Sequence, residues 1–143
     1  MGFSVTFQLP YLRENGPTCH IIITPSDPTV EKLKLEKARI PKIKVLALID
    51  TGASSTAISR RVVEKLNLIA RGTAKVYTSH KEPEIRNEYD IALEFDTDAY
   101  LPLLRVLGAN LQNHSIDCLI GRDILHHGKL IYNGAKNQIK LSF

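Results

Sequence analysis

"ALIDTGASSTAIS", residues 47–59, is the stretch of sequence that decides the fold. It completes an apolar run, KIKVLALID (42–50), which ends abruptly on the carboxylate of Asp50. A buried or half-buried carboxylate is costly unless it is hydrogen-bonded, paired or protonated. The hydroxyl of Thr51 can hold the turn that follows, and Gly52 permits a close backbone approach. The sequence therefore predicts a sharp turn that directs Asp50 into a partly desolvated space.

A single carboxylate at this turn leaves two interpretations open. Asp50 could simply cap nearby backbone amides, or it could be half of a catalytic pair. Two acids that share a proton provide a general base for water and a general acid for a leaving amine. The chain contains no second Asp-Thr-Gly, so the simplest source of a partner acid is a second copy of the protein across a two-fold axis.

A second motif, DCLIGRDIL (117–125), repeats this design about seventy residues later. Again an apolar strand runs into a glycine, Gly121, and then into a short helix predicted over 122–128. Two such units are typical of a fold with internal pseudo-symmetry. Between them, a polar hairpin near residues 76–90 is placed where a mobile cover over a cleft could lie.

The remaining sequence predicts many short strands and little helix. Alternating or β-branched runs predict strands at 3–9, 18–24, 42–50, two within 74–95, one at 100–111, and a hairpin over 129–143 that turns at Asn133-Gly134. Helices are predicted at about 29–38 and at 59–69, where Ser59 is the expected N-cap, while 11–17 has the composition of a turn. Without a βαβ rhythm, this pattern indicates a mainly β barrel or sandwich.

Together, LIDTGASSTAIS and CLIGRDIL resemble the retropepsin-like aspartic proteases, and the match covers roughly residues 43–143. A bacterial-type single-domain member of this family is the expected identity. The resemblance implies an all-β, closed acid-protease barrel with one or two short helices and one lobe per chain. Residues 1–143 would form a single domain, in which 1–42 supply N-terminal strands and an extension to the core.

The resemblance also implies roles for the residues of the active-site loop. Asp50 would be the catalytic acid, contributed once by each subunit. Thr51 would lock the two loops of a dimer together by hydrogen bonds, and Gly52 would present a backbone carbonyl to the substrate. Ala53 would complete the loop.

Two further groups of residues are placed by the resemblance. Gly121, Arg122 and Asp123 would be structural support, with Arg122 tying the helix to the active-site loop or to the dimer interface. Asp123 is interpreted as structural because a turn from strand to helix needs a satisfied polar pair. The flap that covers the substrate would include Tyr77, Thr78, Ser79 and His80.

The sequence departs from the retroviral pattern in two places. Residues 73–107 contain no glycine, whereas retroviral flaps are glycine-rich, so a stiffer, shorter or differently shaped cover is expected. Ser54 stands where retroviral enzymes often carry an acid that pairs with the arginine of the second motif. The link between Arg122 and the active-site loop must therefore be made differently.

Composition excludes several other classes of function. A net charge of +4 arises from basic residues interleaved with acids, which is unlike a nucleic-acid groove, so no nucleic-acid partner is expected. Two cysteines are too few for a disulfide framework, and Cys118, inside an apolar strand, is interpreted as a small core residue. Neither a signal peptide nor a membrane span is recognised, so a cytoplasmic protein without a membrane partner is predicted.

The sequence thus predicts an aspartic-type endopeptidase that cleaves peptide bonds of a peptide or protein substrate as a homodimer. Water activated by two Asp50 carboxylates would attack the peptide bond, so no metal or organic cofactor is required. The alternative is a catalytically silent dimeric module of the same fold that binds peptides or proteins. The glycine-free flap motivates that alternative.

Overall fold

The structure, a computed structural model, describes residues 2–77, 79, 82–95, 99–111 and 115–143. Ten strands and four short α-helices occur in this part of the chain. The strands are β1 (Ser4–Gln8), β2 (Thr18–Pro25), β3 (Ile43–Ile49), β4 (Ala57–Ser59), β5 (Gly72–Val76), β6 (Glu84–Phe95), β7 (Tyr100–Ala109), β8 (Cys118–Ile120), β9 (Lys129–Asn133) and β10 (Gln138–Ser142). The helices are α1 (Leu12–Asn15), α2 (Asp27–Leu35), α3 (Arg60–Lys65) and α4 (Arg122–Leu125).

Six of the strands close into a barrel. They are hydrogen-bonded in the order β2-β3-β8-β4-β7-β6, and pairing of β2 with β6 completes the ring. Strand β5 extends the sheet beyond β6 as the other arm of a hairpin. The predicted closed, all-β barrel is confirmed, and the sandwich is excluded.

The barrel interior is filled by alternate residues of its strands, because successive side chains of a strand point to opposite faces. In β3, Ile43, Val45, Ala47 and Ile49 are buried, while Leu46 and its other neighbours are half-buried or exposed. Each fully buried aliphatic side chain contributes roughly 1.5–3 kcal/mol relative to exposure. The strand that carries Asp50 at its end is therefore anchored in the core of the barrel.

The N-terminal strands are built into both sheets. Strand β1 pairs antiparallel with β10, which also pairs with β9, in a separate three-stranded sheet. Phe3, Phe95 and Phe143 form an aromatic cluster, with ring centroids 4.9–6.4 Å apart, between this sheet and the end of β6. Strand β2 belongs to the barrel itself, so the residues before position 43 contribute to the core.

Helices α2 and α3 occur where the sequence predicts helices, with shifted boundaries. The Ser59 hydroxyl accepts a 3.4 Å hydrogen bond from the N–H of Val62, as expected for the N-cap of α3. The hydroxyl of Tyr100 in β7 donates to the carboxylate of Asp27, which fastens the start of α2 to the barrel. No helix in the described part of the chain is long and apolar enough to cross a membrane.

Three local features differ from the sequence-based prediction. Helix α1 replaces the predicted turn at 11–17 because Leu12 is buried in the core. The short strand β4 precedes α3 and was not predicted. The predicted hairpin of β9 and β10 turns through a 3₁₀ turn, Gly134–Lys136, and a left-handed Asn137 (φ 51°) rather than through Asn133-Gly134 alone.

Candidate active site

The backbone of Asp50 is fixed by the parallel pairing of β3 with β8. Ile49 lies opposite Ile120, and the N–H of Asp50 donates to the Ile120 carbonyl at 2.8 Å. The two apolar strands that precede the sequence motifs are therefore side by side. This pairing brings the turn after Asp50 against the helix that follows Gly121.

The carboxylate of Asp50 is oriented by its own turn. It is half-buried, and its Oδ1 accepts a 2.9 Å hydrogen bond from the N–H of Gly52. The N–H of Ala53 donates to the Asp50 carbonyl at 3.2 Å and closes the turn. A Cβ at position 52 would lie 3.1 Å from that Oδ1, so glycine leaves room for the carboxylate. Thr51 and Gly52 are exposed at the tip of the turn.

Arg122 holds the same turn from the side of α4. Its backbone N–H donates to the Ala53 carbonyl at 2.8 Å, and its Nη1 donates to the Thr51 carbonyl at 2.7 Å. With Ser54 in place of an acid, the guanidinium thus binds the backbone of the loop directly. The loop is tied down on both sides of Gly52, which restricts where Asp50 can move.

Gly121 is required by the close approach of two backbones. A Cβ at this position would lie 2.6 Å from the carbonyl carbon of Ser55, 2.7 Å from its oxygen and 2.9 Å from the nitrogen of Thr56. Contacts this short with backbone atoms are not accommodated by side-chain rotation. The glycine therefore allows the start of α4 to pack directly on the segment that leads from the active-site loop into β4.

Thr56 belongs to the site, although the sequence alone did not identify it as a site residue. It is fully buried, and its Oγ1 donates to Asp123 Oδ1 at 2.7 Å while accepting from the Gly121 N–H at 3.1 Å. Its own N–H donates to Asp123 Oδ2 at 2.9 Å. Asp123 Oδ1 also accepts from the N–H of Ile124 at 2.9 Å. Thr56 and Asp123 thus join the two motifs, and a hydroxyl residue six positions after Asp50 was the available sequence signal.

A second acid lies just before β8 and has a structural environment. Asp117 accepts hydrogen bonds from Arg61 Nη2 at 2.6 Å and from the Ser59 hydroxyl at 2.7 Å. The hydrogen bond from Arg61 holds the pKa of Asp117 below its ordinary value, against the opposing effect of burial. Asp117 therefore stays ionised and links α3 and β4 to the strand that carries the second motif.

Cys118 is a core residue, as the sequence analysis predicted. It is fully buried in β8, and desolvation raises the pKa of its thiol above the ordinary value. Its neutral thiol is therefore not a nucleophile.

The predicted flap segment is only partly described. Thr78 and His80 lie outside the described residues. Tyr77 is 79% exposed and Ser79 is exposed, and neither forms a hydrogen bond with the Asp50 loop within the described part of the chain. Strands β5 and β6 do pair as the predicted hairpin on either side of this segment.

The arrangement provides one oriented carboxylate at an open surface. Two cavities of about 690 and 590 Å³ are formed elsewhere on the chain, and neither is lined by Asp50. No cluster of three or more potential metal ligands occurs among the described residues. A lone carboxylate can accept a proton from water, but it cannot also protonate a leaving amine in the same step.

Comparisons with known proteins identify the family and the fold of the chain. The model of a family described as aspartyl protease matches residues 36–124.

Among solved structures, the chain is similar to a retropepsin-like aspartic protease from Rickettsia conorii, at 17% identity and a TM-score of 0.53, over 100% of this chain and 92% of that one. It is also similar to the retroviral protease-like domain of Ddi1 from Leishmania major, at 14% identity and a TM-score of 0.45, over 85% of this chain and 86% of that one. No match is found among curated proteins. The first structural likeness shows the retropepsin-like fold.

Proposed function

The chain belongs to the aspartyl protease family, and from this premise we propose that it is a retropepsin-like aspartic endopeptidase active as a homodimer. One observation carries the proposal: β3 ends at Asp50 in an exposed turn, where the Gly52 N–H binds the carboxylate while Ala53 and Arg122 fix the backbone. Such a turn holds a carboxylate rigidly at a surface, but it does not supply the second acid that a catalytic pair needs.

The missing partner is Asp50 of a second copy. Thr51 and Gly52 are exposed at the tip of the turn, so they are available to contact the same turn across a two-fold axis. In this arrangement the Thr51 hydroxyls bond the two loops together, and the Gly52 carbonyls face the substrate backbone. The β5–β6 hairpin, which flanks the predicted flap, covers the bound peptide from the other side.

The two carboxylates share a single proton because like charges at hydrogen-bonding distance cannot both ionise at ordinary pH. The ionised Asp50 takes a proton from the attacking water, while the protonated one polarises the scissile carbonyl. The proton taken from the water then passes from this Asp50 to the leaving amine as the peptide bond breaks. One proton must be retained by the pair, so we expect an acid-shifted pH optimum and no requirement for metal or organic cofactor.

Cleavage of a diverse peptide library tests this proposal. The wild-type protein should cleave some of the peptides at acid pH, a pepstatin-type inhibitor should block cleavage, and Asp50→Asn should reduce the rate by several orders of magnitude. Asp90→Asn is the matched control, because the carboxylate of Asp90 pairs with Arg105 and not with the Asp50 loop, and this variant should keep its activity. Cleavage that survives Asp50→Asn would refute the assignment.

A second candidate function is a dimeric peptide-binding module without turnover. The absence of glycine between residues 73 and 107 favours it, because a glycine-free flap has fewer backbone conformations through which to close. The same experiment separates the candidates. Library peptides that bind both the wild type and Asp50→Asn, with cleavage by neither, would favour the module.

A further inference from the structure

A groove of about 590 Å³ lies between α2 and the segment that follows α3. We call it the α2 groove. Pro25 and Pro41 line it, and they mark the end of β2 and the approach to β3, whereas Asp50 follows the opposite end of β3. At about 3.3 Å per residue, β3 separates the groove from Asp50 by roughly 20 Å. The groove is therefore distinct from the candidate active site.

The walls of the α2 groove are preformed. Both adjoining helices end in a residue of left-handed conformation, Lys37 (φ 54°) after α2 and Asn67 (φ 50°) after α3. Each ending is closed by a backbone hydrogen bond, from Ala38 N–H to the Leu33 carbonyl at 2.9 Å and from Leu68 N–H to the Val63 carbonyl at 3.0 Å. A ligand therefore binds without first having to order these walls.

Exposed apolar side chains line the α2 groove. Ile69 is 77% exposed and Leu103 is 56% exposed, while Leu33 is half-buried beside them. Large apolar side chains gathered around a concave surface mark an interaction site more often than scattered ones do. They indicate a ligand with apolar groups of its own.

The charges around the α2 groove are unbalanced. Three of its lining cations, Lys32, Arg39 and Arg71, form no ion pair with any described residue. Of the two lining acids, Asp90 is occupied by Arg105, which leaves Glu36 as the one acid not engaged within the described chain. The groove therefore presents an excess of positive charge that complements an acidic ligand.

We propose that the α2 groove is a docking site for an acidic, leucine-bearing peptide segment of a partner protein. Arg39, Arg71 and Lys32 bind its carboxylates, and Leu33, Ile69 and Leu103 receive its apolar side chains. Nucleic acid fits less well, because the described lining contains no aromatic side chain on which a base could stack. The proposal is independent of catalysis, since none of these residues contacts the Asp50 loop.

Fluorescence anisotropy with defined peptides tests the docking site. The probe is an eight-residue fluorescein-labelled peptide with equal numbers of Glu and Leu. The 143-residue chain carries Asp50→Asn so that the probe is not cleaved. We expect R39E/R71E to weaken binding about tenfold or more, and raised salt to weaken it as well. K136E/K140E changes net charge equally on the β9–β10 hairpin, and we expect it to leave affinity within about twofold of the parent.

Probe composition separates docking from general electrostatic attraction. A Glu/Ser peptide of equal charge should bind about tenfold more weakly, because it lacks the apolar side chains that Leu103 and Ile69 receive. A Lys/Leu peptide should not bind. Equal affinities of R39E/R71E and K136E/K140E, or no binding of the Glu/Leu peptide, would overturn the proposal. Dissociation of a dimer by R39E/R71E would also overturn it, by assigning the groove to a second copy.

Discussion

Asp50 is tolerated at the end of an apolar strand because its surroundings satisfy it. The carboxylate is half-buried rather than buried, and the Gly52 N–H donates to it. Charge-assisted hydrogen bonds of this kind offset part of the cost of desolvation. The position of Asp50 looks unfavourable in the sequence, but in the structure the carboxylate is held by a tight turn. The tip of that turn, Thr51 and Gly52, is exposed at the surface.

Gly121 gives the sharpest prediction for a single residue. Gly121→Ala places a methyl group less than 3 Å from the backbone of Ser55 and Thr56, so we expect a loss of about 2–4 kcal/mol in the free energy of unfolding. Urea denaturation measures it. Gly134→Ala is the matched control, since its methyl group would be 3.4 Å from the Tyr132 ring, and we expect a change within about 0.5 kcal/mol. Equal stability of the two variants would show that α4 does not pack on the loop as described.

Residue types and their order predicted Asp50, its turn and the second motif. They did not predict the hydrogen bonds between Thr56 and Asp123 that join the two motifs. Thr56 meets Asp123 across 67 positions of sequence, and only the pairing of β3 with β8 and of β4 with β8 brings them together. A partner that depends on tertiary contact leaves no local pattern. Thr56 lies within the quoted stretch LIDTGASSTAIS, but nothing in that stretch indicates its partner.

At the scale of the elements, the hairpins and the long apolar strands were predictable from period and turn residues, since these signals are local. Strand β4 was not, because its three residues, Ala57–Ser59, are too few to show a period. Helix α1 was missed because one buried side chain, Leu12, decides it. Both elements depend on packing that the sequence pattern does not encode.

The ion pair between Arg61 in α3 and Asp117, just before β8, makes the free energy of unfolding depend on pH. The pKa of Asp117 is below its ordinary value of 3.8, so the stabilisation is fully present above pH 3.8 and is lost as the pH falls through the lowered pKa. We expect Asp117→Asn to lower the free energy of unfolding by about 1–3 kcal/mol at pH 7. The difference from wild type should shrink below pH 3.8.

Urea denaturation of both proteins between pH 7 and pH 2.5 measures this dependence. Asp90→Asn is the control, because the Asp90–Arg105 pair lies at the surface and should contribute about 0–1 kcal/mol. A difference between wild type and Asp117→Asn that does not vary over this pH range would contradict the ion pair with Arg61.

On the scale of the whole molecule, the chain presents two surfaces with different requirements. In the proposed mechanism, the Asp50 turn needs a second copy of the chain to form the catalytic site, whereas the residues of the α2 groove all belong to one chain. The distance between them, on the order of 20 Å along β3, allows both to be occupied at once. The sequence predicted the first surface through its motifs, but not the second, because the groove is assembled from segments with no shared motif.

The central claim is that each chain carries half of the active site, and mixing tests it most directly. Wild type and Asp50→Asn are mixed in equal amounts at constant total concentration and allowed to exchange subunits, and the rate of peptide cleavage is measured. Only dimers of two wild-type chains are active if the dyad is shared, so the rate should fall to about one quarter of the wild-type rate. A fall to about one half would mean that one chain suffices, and would contradict the account.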